Sequence, residues 1–259
     1  MKQKMTRFLN HKNLENQLIL LRKNHMISSN LPTKIREEPF FVGFELMSDY
    51  FSHARREIAP HLPAKIDQFL DVGCGNGTTS AFIRHLHPEV RWAGGVELFA
   101  DAAEKARSVL DEVWCGDLGA TPFETEIAPA SLDAILCLDV LEHLVDPWTV
   151  VKRLSPLLAE DGRLIISIPN IRNWKFIRKL LMNGDFHYRD AGLLDRTHLR
   201  FFVRDTAIEL AEAGGLKVCF SGNAHPWKTL DMRNILSHIS GHGLDDLMIK
   251  QFLIVATPK

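Results

Sequence analysis

Three glycines at alternate positions, Gly73, Gly75 and Gly77, stand directly behind an apolar run ending in Asp71-Val72 and directly ahead of a helix-forming stretch that opens at Thr78-Thr79. That succession of strand, glycine turn and helix is a βα unit, the building block of a parallel sheet. Glycine accepts positive φ and carries no Cβ, so the turn lets backbone amides come close to a ligand. The spacing also discriminates. A dinucleotide fingerprint, GxGxxG, wants its third glycine where Thr78 stands, and here it arrives one position early. The turn is shaped for a nucleotide-like ligand, with little support for a pyrophosphate.

From residue 66 onward short apolar runs alternate with helical stretches. Strands are expected near Gln68–Val72, Arg91–Glu97, Glu112–Cys115, Ala134–Leu138, Arg163–Ile168, Lys217–Ser221 and Gln251–Thr257. Helices are expected near Thr79–Leu86, Ala100–Leu110, Pro147–Ala159 and Asp205–Ala213. Asp146 ahead of Pro147 is a helix start signal, Asp205 is a second candidate cap, and Glu160-Asp161-Gly162 reads as a turn. Residues 1–62 read as a helical N-terminal extension, with Leu14, Leu18 and Leu21 at helical spacing and Phe44, Met47, Phe51 and Ile58 following Pro39. It serves either as a packing segment or as a lid. Residues 63–259 form the main domain, interrupted near 170–200 and 223–248, where an α/β sheet handles its ligands.

The 259 residues carry a net charge of −1, which gives no global pull toward nucleic acid or an anionic surface. No run approaches the length needed to span a bilayer, and no cleavable leader is visible, so the expected location is the cytoplasm. Cys74, Cys115, Cys137 and Cys219 lie far apart with no CxxC pair and read as reduced structural thiols.

Asp71 followed by GxGxG resembles the first motif of class I methyltransferases that use S-adenosylmethionine (SAM) and release S-adenosylhomocysteine. The resemblance implies that Asp71 helps hold the methionine ammonium, with Gly73, Cys74, Gly75 and Gly77 forming the loop. It continues at Glu97-Leu98, 20 residues beyond Gly77, where a carboxylate would accept from both ribose hydroxyls. Cys115-Gly116-Asp117-Leu118 is similar to the adenine-binding turn, with Asp117 accepting from the exocyclic amine. Leu138-Asp139-Val140-Leu141-Glu142-His143-Leu144 resembles the DVLEHL stretch of the branch that contains ubiquinone-pathway O-methyltransferases. The four motifs imply a seven-stranded, mostly parallel Rossmann-like α/β sheet with helices on both faces. Ile168-Pro169-Asn170 and the segment from Gly192 to Phe202 are similar to a subgroup associated with saccharide and related small-molecule biosynthesis.

Methyl transfer from a sulfonium needs chiefly a positioned nucleophile and a place for its proton. His198 is the favoured general base and His143 the second candidate. Each has a bland alternative, in which Asp195, Arg196 and His198 pin a loop and His143 bonds backbone. The expected acceptor is a small polar molecule methylated on oxygen, with the oligomeric state open. Asp139, Glu142 and His143 at i, i+3 and i+4, with His198, also resemble the divalent-ion site of small-RNA 2′-O-methyltransferases, although Asp replaces the first Glu. No metal is assigned at this point, and a metal-assisted RNA methyltransferase stays as the alternative. A non-catalytic SAM-binding scaffold is a further alternative. Arg172 to Lys179 mixes basic and aromatic residues, which reads either as a nucleic-acid contact or as an amphipathic helix with a solvated basic face.

Overall fold

The computed structural model describes residues 54–225, 231–233 and 244–259, all within a compact unit spanning Ser48–Lys259. Of the N-terminal extension read from the sequence, only its end falls here, as a short 3-10 turn at Arg56–His61 that buries Ile58. The remainder lies outside the described residues.

All seven expected strands are present: β1 (Gln68–Val72), β2 (Trp92–Glu97), β3 (Glu112–Cys115), β4 (Leu132–Leu138), β5 (Leu158–Pro169), β6 (Lys217–Asn223) and β7 (Gln251–Thr257). They form one sheet in the order β3-β2-β1-β4-β5-β7-β6. β1 to β5 run parallel, and β7 lies antiparallel between β5 and β6. The strand order reverses between β1 and β4, so a crevice opens beyond their C-terminal ends, the usual ligand position of an open α/β sheet.

The two faces are built by alternation. Leu70, Val72, Ile135 and Cys137 point into one apolar layer, and Phe69, Ala134 and Leu136 into the other. Helices α1 (Thr78–Leu86) and α2 (Ala100–Ala106) cover the second layer through Ile83 and Ala106. Helices α3 (Pro147–Leu154) and α5 (Arg204–Glu212) cover the first through Val150, Leu154 and Leu210. Between them in sequence, α4 (Trp174–Asn183) follows β5 with only Phe176 buried.

Several boundaries differ from the sequence reading for identifiable reasons. Asp146 does cap α3, its Oδ1 accepting the Thr149 N–H at 3.1 Å. Asp205 does not cap α5; it lies in the first turn, and the Thr206 hydroxyl accepts the Val203 N–H instead. The Glu160-Asp161-Gly162 turn is absorbed into β5 as an irregularity, because Leu158 already pairs with Leu132 before the register shifts. Pro156 cannot donate to a helical bond, so α3 gives way there to a 3-10 turn at Ser155–Leu157. In α4 the aromatic residues divide: Phe176 is buried and Trp174 is exposed, while Lys175, Arg178 and Lys179 face solvent.

Candidate active site

The glycine turn caps β1 at the crevice, with Gly73, Gly75 and Gly77 at φ of 73°, 56° and 81°. A Cβ on Gly73 would come within 2.4 Å of Val140 Cγ2, so this position demands glycine on both conformational and steric grounds. The turn's amides are spent inside the protein. Gly73 and Cys74 N–H donate to Val96 O, Gly75 N–H to Glu97 and Gly77 N–H to Cys74 O. This differs from the expectation that these four amides reach a ligand. The turn's glycines instead clear space beside two carboxylates.

Those carboxylates are Asp71 and Glu97, both buried. Glu97 Oε2 accepts the Gly75 N–H at 2.8 Å and Oε1 accepts the Phe99 N–H at 2.9 Å, which fixes the side chain and leaves a lone pair on each oxygen. Asp71 Oδ2 accepts from the Ser80 hydroxyl at 2.6 Å. Burial pushes the Asp71 carboxyl up to about 7, the Ser80 bond pulls it down, and the Glu97 charge adds to the rise. Two buried carboxylates, acceptor-only once Asp71 is ionised, suit a ligand bearing a cation and hydroxyls, which is the chemistry of SAM's aminoacyl and ribosyl parts.

The remaining cofactor candidates line the same end of the sheet. Leu98 is exposed at the end of β2, Leu118 is buried, and exposed Asp117 uses Oδ1 to accept the Gly119 N–H at 2.7 Å. Buried Cys74 has its thiol pushed up by burial and packs with the second apolar layer, while Leu138 is half-buried against it. The cysteines are free, as expected. Asp139 ends β4 at a φ of 59°. Its carboxylate is surrounded by donors: the Arg55 guanidinium, the Gln251 amide and the Ser167 hydroxyl, the last at 3.2 Å.

Beyond Asp139 the 3-10 turn Leu141–His143 carries Glu142 and His143, and the loop bearing His198 is stitched to it. Leu199 and Arg200 N–H both donate to the Glu142 carbonyl, at 2.8 and 3.0 Å. The two imidazoles meet edge to face with centroids 4.7 Å apart. His198 is 9% exposed, and its Nε2 faces Glu142 Oε1 across 4.0 Å. His143 is pushed down from its ordinary value by burial and by His198, against the opposing charge of Asp195. Glu142 is pushed well up by burial and by Asp139, against its own backbone N–H and the Arg55 charge.

The sequence reading missed the residues that hold this arrangement. Ser80, Arg55 and Gln251 belong to no motif, Thr197 lies in the Gly192–Phe202 segment without a role assigned to it, and the Arg55–Asp139 contact spans 84 residues. Arg153 is another: it bonds Leu118 O, Thr121 O and both Glu124 oxygens, which pins the loop after β3 to α3.

A doubly wound sheet with a glycine turn at its switch point and carboxylates ending β1 and β2 defines a class I SAM-dependent methyltransferase fold. The family model described as "Methyltransferase domain" matches residues 44–219, and the chain belongs to that family. Curated relatives include the ubiquinone biosynthesis O-methyltransferase of Xanthomonas campestris pv. campestris (strain B100), 28% identical over 159 residues, covering 57% of this chain and 64% of the relative. The enzyme of the same name from Xanthomonas oryzae pv. oryzae (strain PXO99A) is 26% identical, covering 60% of this chain and 70% of the relative. Among solved structures, a SAM-dependent methyltransferase from Archaeoglobus fulgidus superposes with a TM-score of 0.57 at 16% identity, over 83% of this chain and 99% of that one. A complex of the Haloferax volcanii Trm112 methyltransferase activator with a methyltransferase gives 0.58 at 14% identity, over 87% of this chain and 100% of that one. These likenesses establish the fold. No helix among the described residues is long and apolar enough to cross a membrane.

Proposed function

We propose that the chain transfers the SAM methyl group to an oxygen of a small polar acceptor, such as a saccharide or a biosynthetic precursor. The supporting observation is the pairing of two sites at one crevice: the Asp71 and Glu97 carboxylates on one side of the β1/β4 switch point, and the Glu142, His143 and His198 cluster just past β4. SAM supplies an electrophilic methyl on sulfur. In this reading Asp71 holds the ammonium, Glu97 the ribose hydroxyls and Asp117 the adenine amine, with Leu98 and Leu118 against the ring. The Gly73-Cys74-Gly75-Asn76-Gly77 turn gives room for the aminoacyl chain, and Leu138 and Asp139 close the floor of the crevice.

His198 and His143 then handle the acceptor's proton. The burial of His198 and its position opposite Glu142 support a role within the cluster rather than as an isolated base. The O-methyltransferase names of the curated relatives support oxygen as the target atom. The exposed basic face of α4 keeps an RNA acceptor as the second reading. Incubating the purified chain with methyl-labelled SAM and a panel of saccharides, phenols and short RNAs tests both. Label in a small hydroxylated acceptor supports the first, label in RNA alone supports the second, and no label in any member contradicts both.

A further inference from the structure

We propose that Glu142, His143 and His198 form a binding site for one divalent transition-metal ion of the zinc, manganese or iron(II) type. The proposal rests on the reading above and refines it: with an ion bound, His143 and His198 act on the acceptor's proton through the metal, which acidifies the bound hydroxyl, and not by taking the proton on nitrogen. The three residues each offer a ligand atom, and these atoms lie within 4.8 Å of one another.

The strongest pointer is an orphaned charge-bearing group. Glu142 is 1% exposed, and among the described residues no side chain or neighbouring backbone group hydrogen-bonds either carboxylate oxygen; the nearest polar group is its own backbone N–H. Its neighbour in the cluster, His198 Nε2, stands at 4.0 Å, too far for a hydrogen bond. A buried carboxylate without a partner is costly, and native proteins keep one only where something else completes it.

The hydrogen bonds around the two imidazoles fix where their protons sit. His198 Nδ1 lies 3.1 Å from Leu193 O, a pure acceptor, so Nδ1 carries the proton and Nε2 is bare in the neutral ring. The Thr197 hydroxyl donates to Asp195 Oδ1 at 2.6 Å, so toward His143 Nδ1, 2.9 Å away, it can only accept. His143 therefore also carries its proton on Nδ1 and leaves Nε2 bare. Two bare ring nitrogens thus converge on the Glu142 carboxyl. A cation satisfies them together. The groups behind the rings, a backbone carbonyl and a threonine–aspartate relay, are the outer partners that orient metal-binding histidines.

The structure also decides which residues belong to the set. Asp139, included by sequence spacing, is already engaged by Arg55, Gln251 and Ser167. What remains is two nitrogens and one carboxylate, a donor set that suits zinc, manganese or iron(II) and not the all-oxygen preference of magnesium or calcium. A tetrahedral ion with bonds of about 2.1 Å places its ligands about 3.4 Å apart, so the 4.0 Å gap must close by roughly half an ångström, and a pair at the 4.8 Å limit of the set by about 1.4 Å. Three protein ligands leave a coordination position for the acceptor's oxygen.

The test uses the full chain, stripped with chelator and titrated with Co²⁺ while its visible absorption is followed. One equivalent should produce the ligand-field band, Zn²⁺ should displace it, and Mg²⁺ should not. Glu142→Gln and His198→Ala should each weaken binding by about a hundredfold or more, and Asp139→Asn by no more than about threefold. Because Glu142→Gln is isosteric and removes a buried carboxyl that no side chain among the described residues satisfies, the metal-free variant should melt no lower than the parent, which separates lost ligation from lost folding. Absence of a stoichiometric site, or a site indifferent to Glu142→Gln and His198→Ala, would overturn the proposal. An Asp139→Asn loss as large as theirs would overturn the three-ligand set. SAM binding measured on the stripped protein stands apart from these outcomes: intact SAM affinity with no metal site leaves the methyltransferase reading in place and removes only the ion.

Discussion

Glu97, at the end of β2, holds the Gly75 amide at 2.8 Å and so welds the second strand to the glycine turn that follows the first. The bond spans 22 residues and takes up an amide that a phosphate-binding loop would leave open. The carboxylate is thus oriented by Gly75 and Phe99 before any ligand arrives, with one lone pair left on each oxygen. Preorganisation of this kind lowers the cost of binding.

Gly73→Ala should damage the turn twice. The left-handed backbone costs an alanine about 1–2 kcal/mol, and the new methyl collides with Val140 Cγ2. Thermal or denaturant unfolding should show a loss of about 2–4 kcal/mol. Adding Val140→Ala should relieve the collision but not the backbone strain. A double mutant no more stable than Gly73→Ala alone would show that the clash is not the cause.

Asp71 links SAM binding to pH. Its carboxyl, pushed up to about 7 by burial, is protonated in much of the unliganded protein at neutral pH, whereas an ammonium partner needs the ionised form. SAM affinity should therefore fall as pH drops below about 7, approaching tenfold per unit. Calorimetry in buffers of different ionisation enthalpy should detect close to one proton released per SAM at the acid end. Asp71→Asn should abolish that release. The same raised value means that the unliganded fold binds this proton more tightly than the unfolded chain. The group's contribution to stability therefore improves as pH falls from about 7 toward 3.8.

Arg153 should matter to the cofactor without touching it. Its guanidinium holds the carbonyls of Leu118 and Thr121 and both oxygens of Glu124, so it fixes the loop that carries Asp117. Arg153→Ala should cost about 2–3 kcal/mol of stability and weaken SAM binding several-fold; Arg153→Lys should rescue little, because an ammonium cannot fork to four acceptors. Full rescue by lysine would show that charge alone is required.

His198→Ala should lower single-turnover methyl transfer by about a hundredfold while changing SAM affinity by less than about twofold. A variant with parent-like turnover would remove His198 from the acceptor's chemistry.

Much of this architecture is legible from residue order. The strands announce themselves as short apolar runs, and the turn after β1 follows from three glycines and an acidic strand end. The missed boundaries share one cause, competition from neighbouring structure. Leu158 joins β5 because Leu132 is there to pair with, and Thr206 supplants Asp205 because its hydroxyl reaches the Val203 amide. At the site, Asp71, Glu97, Asp117, His143 and His198 are visible in motifs. The state of each group is not, since it depends on partners remote in sequence. Arg55 occupies Asp139, Thr197 sets the His143 tautomer, and no side chain among the described residues hydrogen-bonds the Glu142 carboxylate.

The central claim is that the Asp71–Glu97 side of the switch-point crevice holds SAM, and titration calorimetry of the Glu97→Ala protein tests it most directly. The variant should remain folded by circular dichroism and bind SAM at least about tenfold more weakly than the parent, the worth of one charge-assisted hydrogen bond. A folded Glu97→Ala protein that binds SAM as tightly as the parent would contradict the account.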